Sequence, residues 1–343
     1  MNVERLVRLN IRKLTAYVAK EVPCRVKLDA NESPFDFSSL LEKLPSIETN
    51  RYPDPQGRLL KKAAARRWKT KPGRVLLGNG SDELIYYLIT TFGGPVLFPA
   101  PTFSMYGLVA RALGEKAVGV PLDRGFDLNV ERMIRAIRRY RPKLVFLSTP
   151  NNPTGNCFSA ERVFEIIKAS RGLVVIDEAY QPFASGKGML PLIDEFENLI
   201  FMRTLSKVGF AALRVGFLIS EEGMINEVNK VRLPFNVNAF SQAVATEAFR
   251  NYKEIEETVK VIRKERERLF GFLSEVRGIK PSPSEANFIL FRVEDASRIW
   301  KRLLKRGILV RDLADVLDNA LRVTVGSPEE NDLFIRALKD VLE

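Results

Sequence analysis

Short apolar runs recur along this chain, each closed by a turn and followed by a stretch with helical spacing. Val75-Leu76-Leu77, Leu144-Val145-Phe146-Leu147, Gly172-Leu173-Val174-Val175-Ile176 and the run over 198–202 read as buried strands. The first leads through Gly78-Asn79-Gly80 into a helix running to about Phe92, which Ser81 or Asp82 can cap. Residues 94–101 supply another strand and turn, and 102–106 open the next helix. This alternation predicts an α/β protein, in which ligands gather beyond the C-terminal ends of the strands. After Asn238 the pattern changes. A helix over 241–249 closes the first lobe, and 252–276 reads as a long amphipathic helix with i,i+4 charge pairs. Three strands over 287–291, 308–311 and 321–325, with helices over 296–306 and 329–342, predict a small α+β lobe. The opening residues show little helical periodicity and predict an extended arm. The expected division is an arm at 1–28, a large lobe at 29–252 and a small lobe at 253–343.

At 343 residues the chain exceeds the usual single core, in keeping with two lobes. Its composition, 45% hydrophobic and 28% charged, is that of a globular protein, and no apolar run approaches the roughly 18 residues of a spanning helix. Arg5, Arg8, Arg12 and Lys13 break up any signal-peptide core, so a cytoplasmic location without a membrane partner is expected. The chain has no histidine and only two cysteines, Cys24 and Cys157, which excludes histidine triads and the usual zinc sites. A net charge of +12 raises the question of nucleic acid. Lys and Arg are instead interleaved with Glu, as in Arg263-Lys264-Glu265-Arg266-Glu267-Arg268, and no binding module accompanies them. No nucleic-acid partner is expected, and the charge is read as attracting small anions.

Candidate chemistry concentrates at strand ends. Lys207, in Arg203-Thr204-Leu205-Ser206-Lys207, stands where a strand opens into a turn, with Arg214 seven residues on. Alone, such a lysine is as readily a surface residue as a Schiff-base former with Ser206 and Arg214 holding an anion beside it. Asp177 ends the most apolar strand, in Asp177-Glu178-Ala179-Tyr180, with Lys207 placed on the next strand but one. A carboxylate there needs a cation, whether an arginine or a protonated ring nitrogen. Asn151 and Asn152 sit among prolines in a rigid loop at another strand's end. The Gly80-Ser81-Asp82 turn exposes helix amides suited to a phosphate, although it is no P-loop. Phe103 is either a core aromatic or a platform for a flat ring. Tyr52, in Arg51-Tyr52-Pro53-Asp54, occupies an extended loop from which it can reach a neighbour's site.

Taken in order, the phosphate-type turn, the Asn-Pro loop, the Asp-x-x-Tyr strand end and the Ser-Lys with its later Arg resemble the fold-type I enzymes that use pyridoxal 5′-phosphate. The resemblance covers nearly the whole chain and is greatest to the histidinol-phosphate aminotransferases. Residues 10–17, 28–34, 51–54, 78–83, 231–237 and 321–326 carry it. It implies a large domain with a mostly parallel central sheet flanked by helices, and a small α+β C-terminal domain. It implies that Lys207 bonds the cofactor aldehyde and, once released, moves a proton between the substrate carbon and C4′. Asp177 would pair with the pyridinium, Asn152 and Tyr180 would hydrogen-bond the phenolic oxygen, and Phe103 would stack on the ring. Ser81, Asp82, Ser206 and Arg214 would hold the phosphate, with Tyr52 reaching it from the second subunit of a homodimer. Arg322 would grip a substrate carboxylate, or the phosphate of histidinol phosphate, with Tyr17 and Asn31 lining that side. The implied partners are a small amino donor and a 2-oxo acid acceptor: histidinol phosphate and 2-oxoglutarate would give imidazole-acetol phosphate and glutamate.

The sequence departs from this pattern twice. Phe103 stands where many members have tyrosine, and the Lys207-to-Arg214 spacing is one residue shorter than in many relatives. An aromatic amino-acid aminotransferase or a phospho-amino-acid decarboxylase would share the fold. A silent regulatory or nucleic-acid-binding protein on this scaffold is opposed by the intact Lys207, Asp177 and Asn152.

Overall fold

The structure is a computed structural model that describes residues 1, 3–16 and 22–343, so Tyr17 lies outside the described residues. Strand β1 (Val26–Leu28) is followed by the seven strands of a large sheet. These are β2 (Val75–Asn79), β3 (Val96–Ala100), β4 (Ala117–Pro121), β5 (Leu144–Ser148), β6 (Leu173–Asp177), β7 (Leu199–Thr204) and β8 (Val215–Ile219), in the order β2-β8-β7-β6-β5-β3-β4. Only β8 runs antiparallel to its neighbours, β2 and β7. The remaining pairs are parallel.

Both faces of this sheet are covered, which is why its strands read as unbroken apolar runs. Successive residues point to opposite faces: Leu76 and Leu218 pack with Leu84, Leu88 and Tyr106, while Leu77 and Phe217 pack with Leu60, Ala64 and Val244. The helices Ser81–Phe92 and Met105–Leu113 therefore lie on one side and Arg58–Arg67 and Ala239–Arg250 on the other. Val130–Tyr140 and Ala160–Ala169 pack against alternate residues of β5 and β6, among them Val145, Leu147, Val174 and Ile176.

The small lobe holds β9 (Ile279–Pro281), β10 (Phe288–Val293), β11 (Ile308–Asp312) and β12 (Ala320–Thr324), in a five-stranded sheet ordered β1-β11-β12-β10-β9. β1 pairs in parallel with β11, Val26 opposite Ile308. The end of the expected arm is thus an edge strand of the C-terminal lobe. The long helix, Tyr252–Glu275, joins both lobes: Ile255, Val259 and Ile262 enter the large-lobe core, and Leu269 and Leu273 enter the small-lobe core.

Three expectations are corrected. The arm is not extended throughout but carries short helical turns at Val3–Leu6 and Leu9–Arg12. The Asn10 side chain secures it, donating to the carbonyls of Arg111 and Ala112 at 3.0 and 2.9 Å, a tertiary contact that local periodicity does not report. β7 is the next strand after β6, not the next but one, because the intervening residues form the 3₁₀ turns Gln181–Phe183 and Leu190–Asp194. Gly80, rather than Ser81 or Asp82, occupies the cap of Ser81–Phe92; its φ of 81° lets the helix begin directly at Ser81.

Candidate active site

A cleft of about 1190 Å³ opens between the lobes, beyond the C-terminal ends of β5, β6 and β7. Asn31, Ser81, Asp82, Phe103, Asn152, Asp177, Tyr180, Ser206, Lys207, Arg214 and Arg322 all line it. Tyr52 is not among the lining residues: it is 82% exposed and stacks on Phe235 with centroids 4.6 Å apart.

Two neighbouring carboxylates at the end of β6 meet different fates because their side chains leave the strand on opposite sides. Glu178 is the one that takes an arginine, accepting from Arg203 Nη2 at 2.5 Å and from the Met189 amide at 2.6 Å. Asp177 lies on the cleft side, fully buried, and accepts only from the Tyr106 hydroxyl at 2.6 Å and the Ala179 amide at 3.0 Å. Among the described residues no cation pairs with it. Burial therefore pushes its carboxyl from an ordinary 3.8 up to about 6, despite the stabilising bonds from Tyr106 and Ala179. Tyr106 is itself fully buried, stacks on Phe146 at 4.6 Å and meets Phe103 edge-on at 5.7 Å. Its hydroxyl is held well above the usual range by burial and by the Asp177 charge. The sequence reading passed over Tyr106; its place one helical turn after Phe103 is the available signal.

Lys207 stands in the segment between β7 and β8, its Nζ 3.5 Å from the Ala30 carbonyl and 5.7 Å from the Tyr180 ring centre. Ser206 is buried beside it and donates its amide to Thr204 Oγ1 at 3.0 Å.

Arg214 adopts a left-handed φ of 53° and lies over the first turn of Ser81–Phe92. There it pairs with Asp82 at 3.2 Å and lies against Gly80, where a Cβ would collide with the guanidinium. Gly216 on β8 allows the same close approach, since a Cβ there would lie 2.9 Å from the Ser81 nitrogen. Arg214 thus converges with the free amides of a helix start, a ready anion site.

On the opposite wall Arg322 is buried on β12 and donates to Asn152 Oδ1 at 2.5 Å and to the Asp29 carbonyl at 2.7 Å. Asn152 is therefore tied to the arginine as well as bordering the cleft. Asn31 borders it too, but its amide engages the Tyr180 hydroxyl at 2.9 Å rather than turning toward a substrate. Arg311, opposite Arg322 in the β11–β12 register, and Lys27 add two cations to this wall that the sequence reading missed.

Residues 25–338 match the family Aminotransferase class I and II. The chain is 42% identical to a histidinol-phosphate aminotransferase of Caldanaerobacter subterraneus subsp. tengcongensis over 351 aligned residues, 99% of each chain. It is equally similar, at 42% over 98% of each chain, to that of Aquifex aeolicus. Among solved structures, a histidinol-phosphate aminotransferase of Sinorhizobium meliloti in complex with pyridoxal-5′-phosphate superimposes with a TM-score of 0.88 at 27% identity, covering 98% of this chain and 97% of that one.

Proposed function

This chain belongs to the class I and II aminotransferases and, within them, to the histidinol-phosphate aminotransferase family, and from that premise we propose that it transfers the amino group of histidinol phosphate to 2-oxoglutarate in histidine biosynthesis. The cofactor is pyridoxal 5′-phosphate. The observation that carries the reading is the buried Asp177, cation-free on the cleft side, in one cleft with Lys207 and Arg322.

The residues present fit the cofactor. Asp177 suits a protonated ring nitrogen, Lys207 an aldehyde, Asn152 and Tyr180 a phenolic oxygen, and Phe103 the ring face. Ser81, Asp82, Ser206 and Arg214 suit a phosphate. When bound, pyridoxal phosphate supplies an electron-withdrawing ring that lets a proton leave the substrate's amine-bearing carbon. Lys207 Nζ would take that proton, and the Asp177 carboxylate would keep the ring nitrogen protonated. Arg322, held by Asn152 and the Asp29 carbonyl, orients the substrate anion, and Arg311 adds to the local positive potential, whereas Lys27 is paired with Asp29 and Glu32 at 3.1 and 2.6 Å. One guanidinium serving a phosphate in the first half-reaction and a carboxylate in the second explains how both substrates share a cleft.

The test is a coupled assay of glutamate formation from histidinol phosphate and 2-oxoglutarate. Turnover with these substrates is expected; turnover only with aromatic amino acids, or release of carbon dioxide from a phosphorylated amino acid, would overturn the assignment. The working unit we propose is a cytoplasmic homodimer in which Tyr52 reaches the partner's phosphate site. Its support is the exposed aromatic pair Tyr52–Phe235, beside the packed helices Arg58–Arg67 and Ala239–Arg250 that leave Leu59 and Phe240 exposed. Light scattering at the monomer mass would count against it.

A further inference from the structure

The hydrogen bonds around Asn31 have a fixed direction. The Asn31 backbone N–H donates to Thr324 Oγ1 at 3.0 Å, which occupies that oxygen as an acceptor. Thr324 then has its own proton to give, and Asn31 Oδ1 lies 3.4 Å away to accept it. With Oδ1 so engaged, Asn31 Nδ2 is the group that faces Tyr180, donating to its hydroxyl at 2.9 Å. A hydroxyl that accepts from an amide must turn its proton elsewhere. Among the described residues no acceptor is paired with that proton, and Tyr180 lines the cleft.

Asn31 is itself held hard. It is 1% exposed, has a left-handed φ of 56°, and its carbonyl accepts from Asn287 Nδ2 at 3.0 Å. Thr324 ends β12 and Asn287 precedes β10, so the residues that orient Asn31 both belong to the small lobe, whereas Tyr180 follows β6 of the large one.

We propose that Asn31 is a positioning residue that fixes the Tyr180 hydroxyl as a hydrogen-bond donor into the cleft, and that the small lobe imposes this polarity. The proposal rests on the cofactor reading above, since the acceptor it requires is the anionic phenolic oxygen of pyridoxal phosphate. Asn31 thereby acts on the cofactor through Tyr180, not on the substrate.

Asn31→Asp tests it, because aspartate has the same shape and tolerates the left-handed backbone but cannot donate. Tyr180 would then turn its proton onto the new carboxylate. Thr324→Val, which adds no charge, removes the hydroxyl that orders the amide. Lys207 and Tyr106, the ionisable groups placed beside Tyr180, and Asp177 in the same cleft are unchanged in both. With one donor lost from the phenolic oxygen, charge stays on that oxygen and favours a proton on its neighbouring nitrogen. The expected result for Asn31→Asp is roughly tenfold weaker binding of pyridoxal phosphate and an upward move of about one pH unit in the absorbance midpoint of the bound cofactor. Thr324→Val should shift both in the same direction by less. Unchanged affinity and midpoint in both variants, beside a normal wild-type absorbance band, would overturn the proposal and leave the cofactor reading standing. A wild-type protein with no band after reconstitution would overturn both. Should Asn31→Asp fail to fold, Thr324→Val alone decides, and an unchanged midpoint there is the overturning result.

Discussion

At the ring end of the cleft Asp177 is 3% exposed and, among the described residues, accepts only from a phenol and an amide, whereas at the anion end the Asp82 and Arg214 side chains, 43% and 46% exposed, pair at 3.2 Å in the open. Water and salt screen the exposed pair, so Arg214 can exchange Asp82 for a phosphate at little cost. Nothing screens Asp177 in that way. Its charge lowers the stability of the cofactor-free protein, and a cation delivered into the cleft relieves that cost. The same chain thus holds its phosphate end ready by compensation and its ring end ready by leaving a charge uncompensated.

The most damaging way to break this arrangement is to remove the lysine that lines the same cleft as both ends. Lys207→Ala should abolish the absorbance band of the lysine-bound cofactor and lower turnover by more than about 10³-fold. A variant that keeps its band in a spectral titration would show that Lys207 is not the attachment point.

Asp177→Asn sharpens the contrast because stability and function should move in opposite directions. The folded-state value of Asp177, about 6, lies above its ordinary 3.8, so between them the folded protein binds more protons than the unfolded chain. This group's contribution to stability is therefore complete below about pH 4 and is lost as the pH rises through 6. About two units correspond to roughly 3 kcal/mol, so at pH 7 the cofactor-free Asp177→Asn protein should be more stable by that order in urea unfolding, while binding cofactor less well. A cofactor-free variant no more stable than wild type at pH 7 would mean that the buried charge is compensated after all.

Tyr106→Phe should have a smaller effect of the other sign. It leaves Asp177 with the Ala179 amide alone, destabilising the cofactor-free protein at pH 7 by about 1–3 kcal/mol and moving the pH midpoint of the stability curve further up. Matching curves for the two proteins would place the Tyr106 bond outside the balance at Asp177. The smallest effect belongs to Asp82→Asn. Stability should change by less than about 1 kcal/mol, and by less still in high salt. A larger, salt-insensitive loss would show that the two ends are not so different.

Much of this was legible in the chain because its signals are local. The apolar runs marked β2, β5 and β6, and nearly β7, whose observed span Leu199–Thr204 begins one residue later and ends two later than expected. Strands buried on both faces read as nearly unbroken apolar runs, and a charged residue at or just beyond the end of such a run stands out. Asp177 and Lys207 are such residues. β4, with its partly exposed pattern Ala117–Pro121, offered no such run.

The amino-acid order alone thus determined the alternating α/β class, the strand ends that carry Asp177, Tyr180 and Lys207, and the glycine turn before Ser81. Only the tertiary structure decided that β1 joins a sheet whose other strands begin about 250 residues later, that β8 enters antiparallel between β2 and β7, and that Arg214 reaches Gly80. It alone gave Glu178 the arginine and Asp177 the phenol, and turned Asn31 onto Tyr180. The physical reason is range. Periodicity, caps and turns are set by residues a few positions apart, whereas the partner of a buried polar group is chosen by whichever distant segment packs against it.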